Sequence, residues 1–486
     1  MKQFLTITIL SAIIFCGNLF AQTGKDYKDI ADALLEKKNY KLAADNYTKA
    51  IPHFKSIKKK LSELYDGRAE CEQNLKLYDK ALADALKATT LDPNNGSAYW
   101  DLGSINSDMG NHKLSIDNYT RAMPFYQDND FGLSNLYDNR ADEELDLHMY
   151  DKTIVDDSLA LKLNPKNGNA YWHRGIAFDD SGNYQRGIAD YSAAILFQDK
   201  DDKENLAILF DDRAGCEKKL KDYLKAINDE NFAILLQSEN GEYYWSRGAI
   251  YADNGDYQLA TTDYTKAIAL LKDNKKKLAK LYSNRGANET ELKQFDKAIA
   301  DYNIAISLNP VSGAYYWERA IAYTSMGNFK QSIDDYLKAA TLYKDDNKNI
   351  AIIYNNCADN AYFMNDYQKV IDYSTKAIEL NPTYSSPYYY RAKTYLKKLN
   401  KKDAAIPDFK KVLELDTTKK SVNYIFSLFY TGDYNQACKI LQDKIINNNN
   451  SYDLLTDYYN MACLLSLMNK LPEANLYLKK AVDAGY

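Results

Sequence analysis

One pattern of apolar and polar positions recurs along the chain, with a spacing that alternates between 34 and about 38 residues. Tyr171-Trp172-His173-Arg174-Gly175 returns as Tyr244-Trp245-Ser246-Arg247-Gly248 and as Tyr316-Trp317-Glu318-Arg319-Ala320. Each is followed by Gly-Asn or Gly-Asp with an aromatic, then Asp-Tyr, then Ala-Ile or Ala-Ala. A second set reads Leu64-Tyr65-Asp66-Gly67-Arg68-Ala69, Leu136-Tyr137-Asp138-Asn139-Arg140-Ala141 and Leu281-Tyr282-Ser283-Asn284-Arg285-Gly286. Units of this length predict helical hairpins that cannot bury their apolar faces alone and must stack on their neighbours.

The motif resembles the tetratricopeptide repeat: an aromatic at position 4, Gly or Ala at 8, a large residue at 11, Ala at 20, an aromatic at 24, Ala at 27 and Pro at 32. Thirteen such units begin near residues 24, 62, 96, 134, 168, 207, 241, 279, 313, 351, 385, 418 and 455, the last two degenerate. The resemblance covers nearly all of residues 22–486 and implies an all-α fold, a right-handed α-solenoid of about 13 hairpins. Four extra residues amount to about one helical turn, so odd repeats are expected to extend their second helix. Charged stretches such as Lys200-Asp201-Asp202-Lys203-Glu204 would then form the connection. Even repeats instead stop at Pro93, Pro165, Pro310 and Pro382, with Ser238 as the exception. The 43 tyrosines find their place here: those at positions 4, 11, 17 and 24, such as Tyr244, Tyr251, Tyr257 and Tyr264, are expected between packed helices.

Lys2 and the apolar run Phe4 to Phe15, leading to Ala21 and Gln22, read as a secretory signal peptide over residues 1–21. The run is shorter than the roughly 20 residues of a membrane span. An exported protein, periplasmic or secreted, with no transmembrane segment after cleavage is the expectation. Beyond Cys16, the five cysteines 71, 216, 357, 438 and 463 are odd in number and widely separated, so no disulfide framework is implied. Cys438 and Cys463, in neighbouring repeats, are the one plausible pair. A net charge of −5 with both signs interspersed argues against a nucleic-acid binder.

Position 7 is Arg in eight repeats, at Arg68, Arg140, Arg174, Arg213, Arg247, Arg285, Arg319 and Arg391. Position 23 is Asp in the same eight, at Asp84, Asp156, Asp190, Asp229, Asp263, Asp301, Asp335 and Asp408. The other five lack both, carrying Ile30 with Asn46, Leu102 with Asn118, Cys357 with Tyr373, Tyr424 with Ile440, and Met461 with Tyr477. Positions that vary together imply contact, and these two lie eight residues either side of the hairpin turn. They read as structural ion pairs rather than an anion site.

The resemblance places positions 2, 5, 9, 12 and 13 of each first helix on a ligand-binding concave face. Position 5 is Trp100, Trp172, Trp245 and Trp317 in repeats 3, 5, 7 and 9, and Tyr389 in repeat 11, which predicts an aromatic ladder at every second rung. Asp138, Asp142, Asp179, Asp211 and Asp253 are among the thirteen acids on this face in repeats 2 to 9, against three bases, Lys218, Lys219 and Lys280. Such a groove suits an extended polypeptide carrying basic or aromatic residues; a carbohydrate stacked on the tryptophans is the alternative. No nucleophile elbow, phosphate loop or His-Glu-x-x-His motif points to an enzyme, and no cofactor is implied. His53, His112, His148 and His173 fall at different repeat positions and are read as surface or packing residues, forming no metal-ligand set.

Overall fold

A computed structural model describes residues 23–344, 346–447 and 451–484. The expected leader over residues 1–21 lies outside the described residues. Among them there are 26 α-helices and two short 3-10 helices, with no strand. The helices pair into hairpins, and the chain divides into two compact units between Ile250 and Tyr251. Within each unit successive hairpins stack as an α-solenoid.

The additional four residues do not extend the second helices of odd repeats. They add a turn to the start of the first helices of even repeats: Asp130–Asp146, Lys203–Lys219, Lys275–Glu291 and Asn347–Phe363 have 17 residues, whereas Gly96–Asp108, Gly168–Asp180 and Gly241–Asp253 have 13. Capping explains the difference. Asn129, Asp202, Asn274 and Asp346 each accept a hydrogen bond from the backbone N–H three residues on, which fixes the helix start one turn early. Asp202 is therefore a cap and Lys203 opens a helix, so the charged stretch is not all connection. In repeats 1 and 3 the second helix ends at Ala50 and Ala122 and passes into 3-10 turns at Pro52 and Pro124, where the missing N–H interrupts the α ladder. Second helices of even repeats end at Leu91, Leu163, Leu308 and Leu380, two residues before the prolines.

Fourteen residues after the first helix begins in repeats 3, 5, 7 and 9, and eighteen in repeats 2, 4, 6, 8 and 10, the chain reverses through a left-handed residue. Repeats 3, 5, 7 and 9 use glycine there, at Gly110, Gly182, Gly255 and Gly327, while repeats 2, 4, 6, 8 and 10 use Lys76, His148, Lys221, Lys293 and Asn365, and repeats 1 and 11 use Lys38 and Asn400. The core is the expected one in kind. Tyrosines at position 24 (Tyr47, Tyr119, Tyr191, Tyr264, Tyr302 and Tyr336) are almost wholly buried. Gly175 shows why position 8 is small, since a Cβ there would stand 3.0 Å from the Tyr191 ring. Four even repeats depart from this rule: position 24 is Ala85 in repeat 2, Asp157 in repeat 4, Glu230 in repeat 6 and Ser374 in repeat 10, all buried. Cys71, Cys216, Cys357, Cys438 and Cys463 are free thiols, and Cys438 lies 3.7 Å from the Met468 sulfur.

Candidate functional site

The Arg and Asp side chains of seven repeats meet across their hairpins. Arg68, Arg140, Arg174, Arg213, Arg285, Arg319 and Arg391 each donate Nε–H and Nη2–H to the two oxygens of Asp84, Asp156, Asp190, Asp229, Asp301, Asp335 and Asp408, at 2.5 to 2.9 Å. Arg247 donates Nη1–H to Asn231 at 2.6 Å, while Asp263 belongs to the second unit. Each guanidinium also lies over the aromatic ring three residues earlier, as Arg174 does over Tyr171. With their donor edges directed at fixed partners, these arginines act as structural pins of the hairpins.

The first helices of repeats 5, 6 and 7 supply most of the wall of an acidic cavity of about 360 Å³ in the first unit. Asp179, Asp211, Asp212, Glu230 and Glu242 surround Trp245 and Ser246, with Lys218 the one base in the lining. Trp172 Nε1–H donates to Asp212 Oδ2 at 2.8 Å. Burial pushes the Asp212 carboxyl up to about 7, and the neighbouring Asp211 and Asp179 charges add to this, while the Trp172 bond pulls it down. Glu230 is held well above the usual carboxylate range, by burial first and the Asp211 charge second. Its Oε2 has no hydrogen-bond partner. Asp179 is partly neutralised by Lys219, 2.6 Å away. Five carboxylates around one indole make a cation-attracting hollow with a flat aromatic wall.

The other expected rungs have different surroundings. Trp100 packs edge-on against Tyr126, with ring centres 5.3 Å apart, and borders a smaller hollow with Glu70, Asp101 and Asp108. In the second unit Trp317 packs edge-on against Tyr343 at 5.7 Å. All four tryptophans are half-buried, so each combines packing with an open edge. Tyr389 corrects the ladder: it is 7% exposed, packed on Phe409 and Tyr390. Its surroundings, with Lys393, Lys397 and Lys398 beside Tyr362 and Tyr430, are basic rather than acidic. Asp142 and Asp253 are exposed, but Asp138 is buried and committed, accepting from Asn167 Nδ2 at 3.2 Å and facing His173 Nδ1 at 3.0 Å.

Two histidines also depart from expectation. His112 faces Glu143 and Asp146 at 2.8 and 3.4 Å, and His173 faces Asp138 and Asp142 at 3.0 and 3.5 Å. Position 6 of an odd repeat meets position 5 of the even repeat before it, as His173 meets Asp138 and Glu318 accepts from Ser283. That relation joins residues 35 apart, and comparing position 5 with position 6 across repeat boundaries is the signal that finds it.

Tetratricopeptide-repeat models match residues 241–274, 311–383 and 386–419. Over those residues the chain carries tetratricopeptide repeats. It is 24% identical to DnaJ homolog subfamily C member 7 of Homo sapiens over 64% of the chain and 65% of that protein. It is 29% identical to DnaJ homolog subfamily C member 3 of Homo sapiens over 44% and 46% of the two. The chain thus spans less than two thirds of the length of these curated relatives. The crystal structure of yeast Tom70 aligns over 94% of this chain and 98% of its own, at 16% identity and a TM-score of 0.40. Tetratricopeptide repeats build extended surfaces for protein–protein interaction. Among the described residues no helix is long and apolar enough to cross a membrane.

Proposed function

We propose that this chain is a non-enzymatic scaffold of the cell envelope or exterior that holds an extended polypeptide segment through basic and aromatic side chains. The observation that carries the reading is the cavity over repeats 5 to 7, where Asp179, Asp211, Asp212, Glu230 and Glu242 enclose the Trp245 face. A lysine or arginine entering there gains Coulomb attraction in a partly desolvated hollow and stacks on an indole. A row of equivalent tryptophans would suit a glycan better, but Trp172 has its N–H engaged by Asp212 while Trp100 and Trp317 lean on tyrosines.

Tryptophan fluorescence tests the binding. Extended peptides bearing Lys and Tyr are expected to shift the emission and protect it from a soluble quencher. Affinity should fall with added salt and drop in Trp245→Ala without a matching loss of thermal stability. Binding of oligosaccharides that is indifferent to salt would replace the peptide reading. Export rests on the pattern from Lys2 to Ala21. Its test is the N-terminal sequence of the protein recovered from cells, expected to begin at Gln22.

A further inference from the structure

Asp157 occupies the repeat position that Tyr119 and Tyr191 fill in the neighbouring repeats, and it is 0% exposed. Neither of its carboxylate oxygens has a hydrogen-bond partner. A buried carboxylate without a donor is costly unless something positive meets it. The guanidinium whose charge acts on Asp157 is already committed, because Arg174 gives two bonds to Asp190 and one to Ser158. What Asp157 does meet is Asp138 and His173: one ligand atom from each of the three lies within 4.8 Å of the others.

We infer that Asp138, Asp157 and His173 form a binding site for a divalent transition-metal ion, Mn²⁺ or Zn²⁺, that ties repeat 4 to repeat 5. Metal bonds of about 2.1 Å arranged tetrahedrally put ligand atoms about 3.4 Å apart, between the 3.0 Å from His173 Nδ1 to Asp138 Oδ1 and the 4.8 Å that bounds all three. One imidazole nitrogen with carboxylate oxygens favours Zn²⁺ or Mn²⁺ over Ca²⁺ and Mg²⁺, which prefer oxygen alone. An outer set of orienting bonds is present. Asn167 Nδ2–H donates to the second oxygen of Asp138 at 3.2 Å, and Asn167 is itself fixed as the cap of Gly168–Asp180, accepting from Ala170 N–H at 3.2 Å. Asp142 stands 3.5 Å from His173 Nε2, the ring nitrogen that does not face Asp138. A carboxylate there orients the ring so that Nδ1 faces the ion. Glu143, the buried member of the His112 cluster, already has His112 as partner, so that cluster lacks an unpartnered buried ligand and serves as the control.

The test is calorimetric titration of the chelator-treated full chain with MnCl₂ and with ZnCl₂, alongside thermal melts with and without the ion. One ion per chain is expected with either salt, with a rise in Tm, and CaCl₂ should bind at least ~10-fold more weakly. Asp157→Asn, a near-isosteric change, and His173→Gln should each weaken binding by ~10-fold or more and remove the metal-dependent rise in Tm, and Asn167→Ala should weaken it by ~10-fold. His112→Gln should leave both readings as in the wild type. Co²⁺ bound to the wild type should give visible bands that Asp157→Asn loses. Absence of micromolar binding by the wild type would overturn the inference, as would wild-type affinity in Asp157→Asn or loss of the site in His112→Gln. If His173→Gln fails to fold, the wild-type titration and the Asp157→Asn comparison still decide it.

Discussion

Arg213 reaches back across a repeat boundary and donates Nη1–H to Ser192 at 2.9 Å, while its other edge holds Asp229. The same bond goes from Arg68, Arg140, Arg174, Arg285 and Arg391 to Thr48, Thr120, Ser158, Thr265 and Thr375, and from Arg247 and Arg319 to Asn231 and Asn303. In every case the acceptor is position 25 of the preceding repeat. Where the following repeat lacks the arginine, that position is Leu86, Leu337, Lys410 or Gln442. The arginine is therefore a joint between repeats as well as a pin within one hairpin.

Breaking this joint should destabilise in two separable steps. Arg213→Ala leaves a nearly buried Asp229 without its bidentate partner and should cost roughly 1–4 kcal/mol. Ser192→Ala removes one hydrogen bond to a charged group and should cost about 0.5–2 kcal/mol. A double-mutant cycle by chemical denaturation should show positive coupling between them; purely additive losses would mean that the Ser192 bond contributes nothing.

Glu217 sits beside the same pair. Burial, then the Asp229 charge, raise its carboxyl from 4.5 to about 7, against the opposing pull of Arg213. Its stabilising protonated form is complete below pH 4.5, where the unfolded chain is protonated too. That contribution is lost as pH rises towards 7, because the unfolded chain ionises first. Glu217→Gln should therefore leave stability near wild type at pH 4 and raise it at pH 8 by about 1–3 kcal/mol. A pH-independent difference in Tm would rule this out.

Trp172→Phe tests the wall of the acidic cavity. It removes the one bond that lowers the Asp212 carboxyl, so that group should titrate above its present value of about 7, with Asp211 and Asp179 still opposing its charge. Carboxyl-carbon NMR titration of Asp212 reads the shift directly. A lower value in the variant would mean that solvent entry outweighs the lost bond.

Lys221 holds a φ of 62°, at the turn where neighbouring odd repeats have Gly182 and Gly255. Left-handed backbone costs a residue with a Cβ about 1–2 kcal/mol, partly offset by the greater freedom glycine has when unfolded. Lys221→Gly should raise stability by roughly 0.5–1 kcal/mol, measured by denaturant midpoint. Lys225→Gly, inside Tyr223–Leu236, should do the opposite.

Local periodicity was enough to predict the hairpins, about 13 of them, and the Arg–Asp contacts of seven repeats, because each depends on residues within one repeat, 16 or 17 apart. The same comparison carried one repeat further would have found Ser192 with Arg213 and Asp138 with His173. Other features became visible only when repeats were stacked. Asn129 and Asp202 moved the added turn to the next helix, since a cap is recognised by the bond it makes rather than by its distance from a motif. Tyr389 shares repeat position 5 with Trp245, yet Phe409 and Tyr390 bury it. Asp157 reads as a substitution at an aromatic position; its unpaired oxygens beside His173 are a property of packing. Sequence determines what a repeat presents on each face, while burial and partners depend on which neighbouring repeat covers that face.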